Sequence, residues 1–266
     1  ELFPGAFLMA DQPNPIAVAI SILRARRTRR PDPSGTGTVD SADLGIVLQV
    51  LRSGGIVALP AERGSLDGFR DRMQTVDPDS LSRDGALAFW LNLYNAGALA
   101  IASDAFEDGA STVLRTPGVF DATWATIAGE SLSLNDIEHG KIRRFGDPRI
   151  HGALVCGSAS CPTLRYEPFG ENLDAQLDDQ MRSFLAGGGA SVDHTTGALR
   201  LSRIFLWYGG DFTRPHRMPT LLPSRKKDLS KVVARWLPDT DADWVLGTSP
   251  KVEYAAYDWG LACSIA

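Results

Sequence analysis

Cysteine is scarce in this chain: Cys156, Cys161 and Cys263 are the only three in 266 residues. An odd and sparse set cannot build the disulfide framework of small secreted domains, so stability must come from packing. An excess of positive charge is also missing. The net charge of −5 and the pI near 5.4 give no overall electrostatic reason to bind nucleic acid or an anionic membrane. Neither a dinucleotide fingerprint nor a phosphate loop occurs, and no cofactor is expected. The apolar run Ile16 to Leu23 is too short to span a bilayer, so no transmembrane segment is expected. The stretch before it lacks the basic start of a secretory signal. The first residue is Glu1 rather than Met, which leaves the compartment open: cytoplasmic, or exported after removal of a leader outside this numbering.

What is present is enough apolar material for a large core. Hydrophobic residues make up 44% of the chain and the mean hydropathy is −0.09, the profile of a globular protein with one core or a core plus a smaller lobe. One local departure from acidity is RARRTRR at Arg24 to Arg30. Without its five arginines the remainder carries about −10. The run follows a helical period over Ile16, Ala19, Ile20 and Leu23, and it precedes PDPSGTGTV at Pro31 to Val39, which reads as a flexible linker. Residues 1–40 are therefore expected to form an arm, a helix and a linker, and residues 41–266 a single domain. The arginines read as a solvated helix end.

Further along, Ser41 to Arg52 reads as a helix capped by Ser41, Val57 to Leu59 as a short extended piece, and Leu66 to Thr75 as another helix. Asp79 to Ala102 holds GALAFWLNLYNAGALAIA, apolar nearly all round and so expected to be buried on most sides, with Ser82 as its cap. Asn92 and Asn95 lie on one face of it. A buried amide without partners costs about 1–3 kcal/mol, so these two are either structural pins or substrate-binding groups. Asp121 to Leu134 fits a β-hairpin and Leu134 to Arg144 a short helix. Arg149 to Cys156 reads as a strand, with Asp147-Pro148 as a stop before it. Asn172 to Leu185 is a strongly amphipathic helix. A short strand at Ala198 to Leu201, a helix capped by Ser202, a helix at Leu229 to Leu237 and a last strand at Lys251 to Tyr257 complete the pattern. The expected class is α+β, helix-rich around a small, mostly antiparallel sheet.

The chemistry-bearing residues concentrate in Ser131 to Pro162, SLSLNDIEHGKIRRFGDPRIHGALVCGSASCP. Two of the four histidines and two of the three cysteines fall there. A thiol becomes a nucleophile when its pKa is lowered and a base stands within reach. Cys156 is followed by Gly157, Ser158, Ala159 and Ser160, small residues that admit a substrate and offer oxyanion donors. Cys161 precedes Pro162, as at a helix start that favours a thiolate.

Five blocks in order carry a family resemblance: FWLNLYNA at Phe89 to Ala96, SLNDIEHGKIR at Ser133 to Arg143, DPRIHGALVCGSASCP at Asp147 to Pro162, IFLWYGGDF at Ile204 to Phe212, and EYAAYDWGL at Glu253 to Leu261. Together they resemble the family called domain of unknown function number 547, over about Ser41 to Leu261. The resemblance implies bacterial and plant relatives and a Cys, His and Glu site likened to papain-type thiol hydrolases. Carried over, those roles fall on Cys156 or Cys161, on His139 or His151, and on Glu138. Some members carry Ser at the Cys161 position, which favours Cys156 as nucleophile.

Geometry then selects the base. On a continuous strand, five steps of about 3.3 Å separate His151 from Cys156 by roughly 16 Å, with side chains on opposite faces. His139 is then the expected partner of Cys156, with Glu138 orienting it only indirectly, since neighbours on a helix point about 100° apart. His151 and Cys161 are expected in support, and Ser158 and Ser160 in substrate binding.

The expected activity is hydrolysis or acyl transfer at an amide or isopeptide bond of a peptide-like substrate. A non-catalytic peptide-binding module is the alternative. A third reading takes Cys156, Cys161, His139 and His151 as zinc ligands, and a Cys156–Cys161 disulfide is a further option.

Overall fold

The computed structural model describes residues 15–116 and 118–266; the expected extended arm at the N-terminus lies outside them. The long apolar segment forms the organising element, α4. Four helices open the chain: α1 (Pro15–Ala25), α2 (Ala42–Gly54), α3 (Arg63–Met73) and α4 (Arg83–Glu107). Helix α4 starts where Ser82 Oγ accepts the Gly85 N–H, and it is buried continuously from Gly85 to Ala100. Its length and hydropathy would suit a membrane span, as would the stretch Ala42–Met73, but nearly all of α4 is enclosed by the fold.

The α+β class holds, with the strands divided between two small sheets. A hairpin pairs β1 (Thr123–Ile127) with β2 (Glu130–Ser133). Helix α5 (Leu173–Phe184) follows. The second sheet has the order β3-β4-β5, with β3 (Ala190–Asp193) antiparallel to β4 (Ala198–Leu201), and β5 (Lys251–Tyr254) parallel to β4. Between them lie α6 (Arg203–Trp207), α7 (Gly209–Thr213), α8 (Lys226–Val233) and α9 (Asp239–Thr248). Two apolar cores result. The larger surrounds α4, and the smaller lies among α8, β4 and the end of α5. Helix α5 joins them: Leu173 and Leu177 belong to the first, Met181 and Phe184 to the second.

Several local expectations are corrected by long-range contacts. Arg149 to Cys156 is not a strand. Residues Pro148–Gly152 form a 3-10 turn, because Asp147 caps it by accepting the Arg149 N–H at 2.9 Å and Pro148 occupies its first position. The Asp-Pro pair read as a stop is a start. Val57 to Leu59 lies within a 3-10 stretch, Gly55–Glu62, rather than an extended piece. Ser41 does precede α2, but its hydroxyl accepts from Asn92 Nδ2 at 3.2 Å instead of capping.

The segment read as a linker is pinned along α4's entry: Ser34 N–H bonds Asp79 O, Gly35 N–H bonds Leu81 O, and Ser82 N–H bonds Gly37 O. Part of the arginine run is held likewise. Arg26 donates to Pro219 O, Arg29 pairs with Asp79, and Arg144 donates to the carbonyls of Ala25, Arg26 and Thr28. Residues 19–39 thus pack against the domain that follows.

Candidate functional site

The hairpin delivers the chain into the first functional segment. Ser133 and Asp136 form a reciprocal box: the Asp136 N–H donates to Ser133 Oγ at 3.1 Å and the Ser133 N–H to Asp136 Oδ2 at 3.1 Å. The expected helix follows, but its centre, Asp136–Lys141, is a π turn and Ile142–Phe145 is 3-10. π turns recur at functional sites. This one sends Glu138, His139 and Arg143 into a buried ionic cluster.

Asp211, on α7, is fully buried and holds that cluster together. Its Oδ2 accepts from Arg143 Nε at 2.8 Å and from His151 Nε2 at 2.9 Å, and its Oδ1 accepts from Arg143 Nη2 at 3.0 Å and from the Thr220 N–H at 3.0 Å. Gly210 admits the Thr220–Leu222 loop, since a Cβ there would collide with Leu222 O. Burial alone would raise the Asp211 carboxyl, but the bonds and charges of His151 and Arg143 hold it well below the usual carboxylate range. The His151 ring stacks on Tyr208 with centroids 4.1 Å apart. In the neutral tautomer with Nε2 donating to Asp211, Nδ1 is the nitrogen that carries the lone pair.

His139 sits differently. Arg143 Nη1 lies 3.3 Å from its Nδ1 and must be the donor, so His139 is neutral with its proton on Nε2. Burial, opposed by Glu138 and assisted by Arg143, pushes its pKa down to about 4. Glu138 Oε1 stands 3.3 Å from the same nitrogen, an electrostatic contact rather than a hydrogen bond while His139 is neutral. Although burial works against it, the positive charge of Arg143, joined by that of His139 when protonated, keeps the Glu138 carboxyl below its ordinary value. Tyr94 OH donates to Glu138 Oε2 at 3.4 Å.

Opposite this cluster lies the cysteine loop. Asn95 fixes its approach: Nδ2 donates to Ala153 O at 3.0 Å and Oδ1 accepts the Val155 N–H at 3.1 Å. Gly157 has φ 77°, and a Cβ there would press on Val113 and Ala102. The loop is sealed by the C-terminal segment, with Ala159 N–H on Gly260 O, Ser160 N–H on Asp258 O and Ala262 N–H on Gly157 O. That segment brings Tyr257 to the sulfurs. Cys156 and Cys161 are joined as a disulfide with Cα atoms 6.4 Å apart. Ser158 Oγ lies 3.1 Å from Cys156 Sγ and 3.4 Å from Cys161 Sγ, and it donates to Tyr257 OH at 3.0 Å. Cys161 Sγ also accepts the Cys156 N–H at 3.0 Å and lies 3.4 Å from Tyr257 OH. Burial pushes the Tyr257 hydroxyl up to about 12, so it is protonated.

A cavity of about 440 Å³ connects the two sides, lined by Glu138, Arg143 and His151 on one and by Cys156, Cys161 and Tyr257 on the other. His151 lines it together with the sulfurs, and His139, the expected partner of Cys156, does not. The strand premise failed: the 3-10 turn curls His151 back, and Gln180 Nε2 on Gly152 O clamps it.

Asn92 and Asn95 pin the backbone and do not line the cavity. The Asn92 amide bonds both the Phe169 carbonyl and its N–H. Ser160 Oγ accepts the Asp258 N–H and closes the loop rather than lining the cavity. The zinc reading does not assemble. Among the described residues no three His, Cys, Asp or Glu side chains converge on a common point, and both loop sulfurs are taken by the disulfide.

In the sequence, Tyr208 and Asp211 fall in a cluster with Trp207 and Phe212 that could line a cleft but reads more readily as core; that cluster and Tyr257 both lie in the family blocks.

Fold and site together define an α+β protein with a cysteine pair and a histidine held by a buried aspartate on the walls of one cavity. Residues 78–185 match the family described as protein of unknown function, DUF547, so the resemblance drawn from the motifs is met over this stretch. The match holds the first three blocks; the other two lie beyond it yet line the same cavity. No curated protein and no solved structure matches the chain.

Proposed function

We propose that the protein is a thiol-dependent hydrolase or acyltransferase acting on an amide or isopeptide bond of a peptide-like substrate, active once the Cys156–Cys161 disulfide is reduced. The observation that carries this reading is the opening of both sulfurs onto the cavity that also exposes His151, whose ring Asp211 orients. Cys161 is the favoured nucleophile. Its sulfur has the Cys156 N–H and the hydroxyls of Ser158 and Tyr257 around it, and donors of this kind stabilise a thiolate.

In the proposed reaction His151 Nδ1 takes the thiol proton as sulfur attacks the carbonyl carbon. The carbonyl electron pair moves onto oxygen, returns, and expels the amine, which recovers the proton from His151. Water or an acceptor amine then cleaves the thioester and restores the thiol. Asp211 stays ionised and steadies the imidazolium.

The test is iodoacetamide labelling of the reduced protein at pH 6.5, followed by peptide mapping. One loop cysteine is expected to react at least tenfold faster than a free thiol and to lose that rate in His151→Ala. Cys263 is the internal control, because burial pushes its thiol up to about 11. Equal, slow labelling of all three cysteines would remove the nucleophile and leave the binding module.

The disulfide's place on the cavity wall also favours a second reading, dithiol oxidation. An incoming substrate thiolate would attack one sulfur and expel the other as thiolate. A second substrate thiol would then release the product disulfide and leave both cysteines reduced. Stoichiometric oxidation of a dithiol peptide, with no acyl cleavage, would select it.

A further inference from the structure

The mouth of the cavity differs in character from its depth. Trp207, Tyr257 and Trp259 form an aromatic corner there, with ring centroids 4.9, 5.7 and 4.5 Å apart. Leu221 lines the same opening and remains half exposed, as does Trp207. An apolar surface of this kind, inside a concave site rather than on a flat face, is shaped to receive an apolar group.

Arg203 stands beside it, four residues before Trp207 on α6 and therefore on the same side of the helix. It also lines the cavity. Among the described residues its one hydrogen bond runs from Nε to Ala255 O at 3.3 Å, and it makes no ion pair. The other charged groups facing the cavity are engaged: Arg143 with Asp211, and Glu138 with Tyr94, His139 and the Arg143 charge. Arg203 is thus the cation whose planar guanidinium edge is open to a ligand, and such an edge matches a carboxylate in two parallel bonds. The Glu138 carboxylate lies on the deeper wall and repels a second negative charge, so the anion belongs at the mouth.

We infer that the cavity binds the C-terminal end of a peptide, with the α-carboxylate on Arg203 and an apolar or aromatic last side chain against the Trp207–Tyr257–Trp259 corner. A volume near 440 Å³ suits a terminal unit of about two residues and excludes a folded chain. This deepens the thiol reading by naming its substrate class: the scissile amide would lie one residue inside the free terminus, toward the sulfurs.

Binding is measured on the oxidised protein, where neither loop thiol is free, with N-acetylphenylalanine and N-acetylphenylalanine amide as probes and tryptophan fluorescence or calorimetry as readout. The acid is expected to bind at least tenfold more tightly than the amide. Arg203→Gln abolishes that preference with an unchanged melting temperature, and Arg203→Lys retains part of it. Equal affinity for acid and amide, no binding of either, or a preference that survives Arg203→Gln would overturn the assignment. The labelling experiment uses the reduced protein without ligand, so loss of the thiol chemistry and loss of the carboxylate site are separately visible.

Discussion

Along one wall of the cavity Glu138, Arg143 and His151, with Asp211 behind them, are buried and each is held by at least one charged or hydrogen-bonding neighbour. Along the other, Cys156, Cys161 and Tyr257 are only partly enclosed, and their contacts are a disulfide, hydroxyls and one backbone N–H. The difference separates two kinds of cost. A charge buried with its partners is tolerable, but one deprived of them is not, so the ionic wall is bound up with folding. The sulfur wall carries no buried charge, so a change at its hydroxyls costs less stability than a change in the ionic cluster.

The sharpest way to break this contrast is Asp211→Ala. It leaves Arg143 and His151 buried without their shared acceptor, and a loss of about 3–5 kcal/mol is expected in urea denaturation. Denaturation unchanged from wild type would mean that the two walls do not differ as described.

Acid titration sharpens it next. His139 has a folded pKa of about 4 against an ordinary 6.5, so between those values the unfolded chain binds the extra proton. Stability therefore falls as pH drops from 6.5 to 4, by up to roughly 3 kcal/mol. His139→Gln should flatten that part of the profile. Glu138 and Asp211 are held below their ordinary values, so their contribution is present above about pH 4 and lost below it. Melting temperatures across pH 3–8 check both signs.

Asn95→Ala comes third. It strands Ala153 O and the Val155 N–H in the core, for a loss on the order of 2 kcal/mol. Smallest is Tyr257→Phe. The hydroxyl's bond with Ser158 contributes about 1 kcal/mol or less, but its removal should raise the pKa of the reduced loop thiol. The readout is a shift of the labelling rate to higher pH at nearly constant stability.

Much of this molecule can be read locally. The apolar run of α4 predicts a helix enclosed on all sides, and its Ser82 cap is where the sequence puts it. The period of Leu173, Leu177, Met181 and Phe184 predicts α5, and the Gly129 turn predicts the β1–β2 hairpin. The clustering of Glu138, His151, Cys156 and Cys161 within one stretch marks a segment that lines the cavity. Local pattern fails at Asp147-Pro148, because the pair that ends one helical segment also caps the next turn, and only the path of the backbone tells which role dominates. Reading the residues after that pair as a strand is what makes His139 the expected partner of Cys156, whereas the 3-10 turn brings His151 to the cavity.

By itself, then, the sequence determined which segments bury a face and which residues bring reactive atoms, because burial periodicity and side-chain chemistry are properties of a few consecutive positions. Only the tertiary structure decided who meets whom. Asp211 reaches His151 across 60 residues and Tyr257 reaches Ser158 across 99. Pairings at that separation depend on how α7 is carried back to the Pro148–Gly152 turn and the C-terminal segment to the cysteine loop, a global packing outcome that no local window contains.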